Sequence, residues 1–241
     1  MKPAQVNIQT KAGVAPGHLF SPSPGAPGII LYMDVFGVRP AMLAMSERLA
    51  SQGYRVLLPD LFYRSGPREP FHSPDGFKDE KERNRFISLM RATSNAMVME
   101  DTASYLDFLG ASASAKAGCV GYCMGGTYAL AAAGTFPDRI AAAASIHGAR
   151  LATDQPDSPH LLAPKMKGEI YVGVAAIDQG FGPQQQATLE SALKAAKVRF
   201  SLDVYPNVKH GFAVDDNPVY DREAAELHWK RILDLFGRAL S

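Results

Sequence analysis

Gly121-Tyr122-Cys123-Met124-Gly125-Gly126 restricts this chain more than any other stretch. The run before it, Lys116 to Val120, is short and strand-like. The run after it, Thr127 to Thr135, is alanine-rich and favours helix. A strand must therefore turn sharply into a helix, with a cysteine at the apex and glycines two residues to either side. Gly121, Gly125 and Gly126 suit such a turn, because neighbouring backbone passes where a Cβ would stand. The apex residue itself is expected to be strained.

The rest of the chain alternates in the same way. Val6 to Thr10 and His18 to Phe20 read as short strands joined at Ala12-Gly13, and Ser21 to Gly28 as a plain loop. Gly28 to Met33 and Tyr54 to Pro59 are continuous apolar runs, which suit strands buried on both faces. Ile140 to Ile146, Glu169 to Ala176 and Phe200 to Tyr205 complete the strand set. Between them fall a helix from Pro40 to the Gly53 cap with Met42, Met45 and Leu49 as its stripe, and helices at Gly76 to Arg91 and Ser94 to Leu109. A further helix opens at Gly182-Pro183. The last, Tyr220 to Leu240, carries Ala225, Trp229, Ile232 and Phe236 at helical spacing. This alternation predicts an α/β fold, a mainly parallel twisted sheet with helices on both faces, in one domain over residues 1–241. Ligands bind such sheets outside the carboxyl ends of the strands. Asp34, Cys123, His147, Asp178 and His210 all fall there.

The charge balance narrows the function. A formal net charge of +1 with mixed signs argues against a nucleic-acid platform or a partner of anionic membranes. No run is long enough to span a bilayer, and Pro3 to Lys11 lacks the apolar core of a secretion signal, so a cytoplasmic location is expected. The two cysteines, Cys119 and Cys123, fit a reducing compartment. Along an extended strand their Cα atoms would lie roughly 12 Å apart, beyond disulfide reach. Without nearby histidines they make a poor zinc site, and neither metal nor cofactor is expected.

A cysteine attacks as thiolate, and an ordinary thiol is mostly protonated at neutral pH. The dipole of the following helix, even at a generous ~2 kcal/mol, moves the thiol by only about 1.5 pKa units. A base is needed. In α/β-hydrolases the nucleophile, acid and histidine follow one another on successive strands. Cys123, Asp178 and His210 obey that order. Asp203 lies within a strand and Asp215 and Asp216 come after the histidine, so they fit less well. His147 ends a strand but precedes the acid, and is placed in the pocket wall. The oxyanion would be held by the backbone N–H of Met124 and one from Val35 or Phe36. Cys119, inside its strand, reads as core. Asp34 has two readings, a cap of its loop or a carboxylate that tunes the thiol. Phe36, Tyr122, Arg83 and Arg85 join His147 as expected pocket residues, one arginine being a candidate anchor for a substrate carboxylate.

With these residues in place, the chain resembles the dienelactone hydrolases (carboxymethylenebutenolidases). The resemblance rests on Asp34-Val35-Phe36-Gly37-Val38, Pro59-Asp60-Leu61-Phe62, the Gly121 to Gly126 turn, Asp178 and His210-Gly211-Phe212. It implies an α/β-hydrolase fold and hydrolysis of a small lactone or ester through an acyl-cysteine, without cofactor. It also implies a glutamate at the position of Asp34 and two arginines on the substrate carboxylate. One corresponds to Arg83 or Arg85, and the other falls where this chain has Val214. These departures point away from dienelactone itself. The rival functions are a broader carboxylesterase or thioesterase on the same residues, and a non-enzymatic thiol-redox or ligand-binding protein.

Overall fold

Eight strands form a single sheet in the order β1-β2-β4-β3-β5-β6-β7-β8 in the computed structural model, which describes residues 1–69, 71 and 78–240. The strands are β1 (Ala4–Thr10), β2 (Gly13–Phe20), β3 (Gly28–Tyr32), β4 (Arg55–Pro59), β5 (Ala117–Tyr122), β6 (Ile140–Ile146), β7 (Glu169–Ile177) and β8 (Phe200–Lys209). β1 and β2 pair as an antiparallel hairpin, and β2 runs antiparallel to β4. From β4 onward every pairing is parallel. The expected mainly parallel sheet is thus present, with a hairpin added at one edge.

Burial follows the apolar runs. Every residue of β3 and β5 is buried, as continuous hydrophobic strands covered on both faces must be. β8 is an edge strand and buries only Tyr205 and Val208.

The helices form where caps and stripes coincide. In α1 (Pro40–Ser51), proline occupies the first turn and Met42, Met45 and Leu49 are buried. α2 (Glu80–Ala92) is capped by Asp79, whose carboxylate accepts the Glu82 N–H at 3.0 Å. That cap sets the start of the helix at Glu80; the expected onset, Gly76, lies outside the described residues. α3 (Asn95–Phe108) is capped by Ser94 through the Met97 N–H at 3.2 Å. α4 (Met124–Thr135) begins directly after Cys123, earlier than its alanine run suggests. α5 (Pro183–Ala195) follows Gly182. α6 (Arg222–Ala239), capped by Asp221, buries Ala225, Trp229, Ile232 and Phe236, each large side chain contributing about 1.5–3 kcal/mol. Arg48 of α1 pairs with Glu226 of α6 and lies over the Trp229 ring at 4.5 Å, tying those two helices together. No helix of the described residues is long and apolar enough to cross a membrane.

Candidate active site

The turn after β5 is as tight as its glycines require. Cys123 adopts φ 56° and ψ −119°, a left-handed conformation that a non-glycine residue holds only when its surroundings over-determine it. A Cβ on Gly121 would collide with the Gly125 carbonyl, and one on Gly125 with the Tyr32 carbonyl of β3. One on Gly126 would strike the Ser145 hydroxyl. The thiol of Cys123 is partly exposed, whereas Cys119 is fully buried against the Ala129 carbonyl, and both are free.

Three loops at the carboxyl ends of β5, β7 and β8 meet here. His210 Nδ1 lies 2.7 Å from Asp178 Oδ2, and the other Asp178 oxygen accepts the Gly180 N–H at 2.7 Å. The Asp178 side chain is only 3% exposed, so its orientation is fixed. The Cys123 side chain is near enough to His210 to act on its charge. Burial opposes a charge on His210, but the Cys123 side chain and the hydrogen bond to Asp178 outweigh it and raise its pKa to about 10. The imidazolium is therefore the favoured form at neutral pH.

The two segments expected to face an oxyanion differ in their free donors. Met124 opens α4, where amides have no intrahelical acceptor. On the loop after β3, the Phe36 N–H is already spent on Asp34 Oδ1 at 3.0 Å, which leaves Val35 as the donor there.

Asp34 is engaged away from the thiol. It is 3% exposed, and both oxygens are held by Arg39, at 2.6 Å from Nη1 and 2.9 Å from Nη2. Arg39 also donates to Asp216 from Nε at 2.6 Å and Nη2 at 2.9 Å. Burial of this guanidinium opposes its charge, and the two carboxylates more than restore it. Of the two readings of Asp34, the loop-capping one matches these partners.

Several expected pocket residues sit elsewhere. Tyr122 is fully buried, its hydroxyl 3.2 Å from His228 Nε2, because its side chain alternates away from the turn. His147 is also buried rather than lining the pocket. Phe36 packs edge-on against Phe86 and faces a separate cavity with Asp60, Arg68 and Phe71. Arg85 lies over Phe71 at 4.0 Å and bonds Glu82 and the Glu69 carbonyl; neither it nor Arg83 lines the cavity at Cys123. Val214 is fully buried.

The cavity at Cys123 measures about 310 Å³ and is lined by Met124, Thr127, Tyr128, Arg91 and Arg150 among others. Arg150 stands in the left-handed region at φ 58°, its N–H bonded to the Gly180 carbonyl. Neither Arg91 nor Arg150 forms an ion pair among the described residues. Sequence reasoning missed both. Arg150 follows the strand end His147-Gly148, and that placement was its available signal.

Comparison with known proteins decides the family. The profile of the "Dienelactone hydrolase family" matches residues 16–240. The chain belongs to the dienelactone hydrolase family. Among curated relatives, a "Putative carboxymethylenebutenolidase" of Synechocystis sp. is 27% identical over 221 residues, covering 89% of this chain and 87% of that protein. One of the same description from Methylorubrum extorquens is 28% identical over 241 residues, covering 96% of this chain and 79% of the other. A crystal structure from Klebsiella pneumoniae, described as a "Putative Dienelactone Hydrolase", superposes with a TM-score of 0.82 at 23% identity, covering 98% of both chains. That likeness establishes the α/β-hydrolase fold. As a member of the dienelactone hydrolase family, the protein is a hydrolase acting on lactone or ester bonds.

Proposed function

We propose that the protein hydrolyses a small lactone or ester through an acyl-cysteine intermediate on Cys123. The reading rests on one observation above all, the Asp178–His210 bond of 2.7 Å, with the Cys123 side chain at the apex of the turn near enough to favour charge on His210. Cys123 Sγ attacks the substrate carbonyl carbon, and the charge that develops on oxygen is met by the Met124 and Val35 amides. The carbon–oxygen ester bond then breaks, and the leaving oxygen takes the proton held by His210. In a lactone that oxygen remains tethered to the acyl group. The neutral His210 next removes a proton from water, which attacks the thioester and expels the Cys123 thiolate. Asp178 holds the ring and stabilises the imidazolium throughout.

The substrate is an ester or lactone with an anionic group, broader than dienelactone. Two arginines with no ion-pair partner among the described residues, Arg91 and Arg150, line the cavity with the nucleophile, while Val214, Arg83 and Arg85 do not. The proposed setting is a cytoplasmic, single-domain enzyme. Mass spectrometry of the protein after brief exposure to lactones and aryl esters tests the mechanism, with the acyl mass expected on Cys123. Cys123→Ala and His210→Ala are each expected to abolish turnover, since the three groups act as a unit. Wild-type turnover in either variant sinks the mechanism.

A further inference from the structure

His147 sits beneath the nucleophile and takes no part in the reaction described above. It is 1% exposed and occupies the left-handed region at φ 37°. Its backbone N–H is bound to the Gly173 carbonyl of β7 at 2.7 Å. Its ring Nδ1 accepts the Cys123 backbone N–H at 3.2 Å, a donor that is shared with the Ile146 carbonyl at 3.1 Å. Two residues in strained conformations are thus joined by a hydrogen bond from the backbone of one to the side chain of the other. Strain of this kind persists only where neighbours hold it.

The tautomer follows from the bond. An imidazole accepts at Nδ1 only when that nitrogen carries no proton, so the ring is neutral with its hydrogen on Nε2. Nε2 is buried and has no partner among the described residues. The opposite tautomer would set two N–H groups against each other. The ring thus gives the Cys123 amide a second acceptor beside the Ile146 carbonyl, while its own Nε2 has no partner among the described residues.

We propose that His147 is a positioning residue, a neutral imidazole acceptor that anchors the Cys123 peptide. Anchored there, the peptide aims Sγ at His210 and turns the following Met124 amide toward the oxyanion. This role rests on the hydrolase reading only for its catalytic consequence; the anchor itself does not. A proton on Nδ1 would break the anchor, and the surroundings resist one. Tyr122 and Cys123 face the ring from the turn, His210 and Phe212 from the loop after β8, and His228 stands nearby on α6. Burial holds His147 well below the usual histidine range, with the charges of His210 and His228 adding to it.

Two substitutions separate acceptor from filler. His147→Asn keeps an oxygen where Nδ1 stands, and asparagine tolerates the left-handed backbone. His147→Phe keeps the ring and removes the acceptor. The rate of Cys123 alkylation by iodoacetamide and the kcat and KM for an aryl acetate are measured for each. The phenylalanine variant is expected to lose about tenfold in alkylation and kcat, the worth of one hydrogen bond, with KM little changed. The asparagine variant is expected to stay near wild type. The reverse ranking would mark His147 as filler and overturn the proposal. Nitrogen NMR of the wild-type protein gives a readout that needs no variant to fold. It should find Nδ1 unprotonated between about pH 5 and pH 9, also in Cys123→Ala. A proton on Nδ1 overturns the proposal as well. Expected alkylation ranking without any ester turnover would sink the hydrolase reading and leave the anchor standing.

Discussion

Arg39→Met tests the least visible part of the site. The substitution keeps an unbranched apolar stem, two atoms shorter, and removes every donor that Asp34 receives from Arg39, leaving only the Phe36 N–H. Asp34 is 3% exposed. Removing one partner of a buried pair costs about 3–5 kcal/mol, because the remaining charge is stranded. Asp216 adds little to this, since its side chain is 33% exposed and water replaces the guanidinium there. The lower part of the range, about 3 kcal/mol, is therefore expected. For a chain of this size that amounts to a melting temperature lower by roughly 6–12 °C. Equilibrium urea unfolding and calorimetry measure it directly. Asp34→Asn combined with Arg39→Met should recover much of the loss, because the stranded charge is gone. Arg39 also joins the Val35 loop to the loop that carries His210, so kcat should fall in the single variant. A loss below about 1 kcal/mol, or a double variant no better than the single, would refute the reasoning.

The remaining predictions concern the pocket, the turn and pH. Arg150→Ala should raise KM for an anionic ester roughly tenfold and leave a neutral ester of the same acyl group unaffected, as steady-state kinetics on the pair would show. Gly125→Ala should destabilise by about 1–3 kcal/mol and cut activity, because its Cβ meets β3 backbone that has nowhere to move; denaturation with an activity assay checks both. Activity should fall as pH rises through about 10, where His210 loses the proton that the leaving oxygen needs, and a pH–rate profile reads this. Burial lowers the His228 pKa to about 3, so the unfolded chain binds a proton below about pH 6.5 that the native state refuses. Stability should therefore fall with pH through that window by about 1.4 kcal/mol per unit for this histidine alone, visible in urea midpoints.

Much of this was legible in the sequence because it is local. Ile140–Ile146 has the bounds its apolar run suggests, and the glycines around Cys123 announce the turn before any contact is known. Asp178 and His210 follow from order along the chain. What escaped depends on partners far apart in sequence. Asp34 could be read two ways until Arg39 and the distant Asp216 were placed beside it. Tyr122 stands next to Cys123 in sequence and His147 just past the end of a strand, yet both side chains are buried, which position in the sequence alone does not disclose. β2 begins at Gly13, earlier than expected, because Pro16 and Gly17 obscure its alternation while its pairing with β1 and β4 maintains it.

The close approach of Gly125 to the carbonyls of Tyr32 and Met33 has a consequence for how such a protein can change. The two amides that would meet the oxyanion belong to segments whose separation is set by main chain resting on main chain. The three atoms nearest a Cβ at Gly125 are all main chain. The residues around the cavity, Arg91 and Arg150 among them, can thus be exchanged over evolutionary time without retuning the distance between those amides. Selectivity can drift while the machinery for breaking the bond is inherited intact.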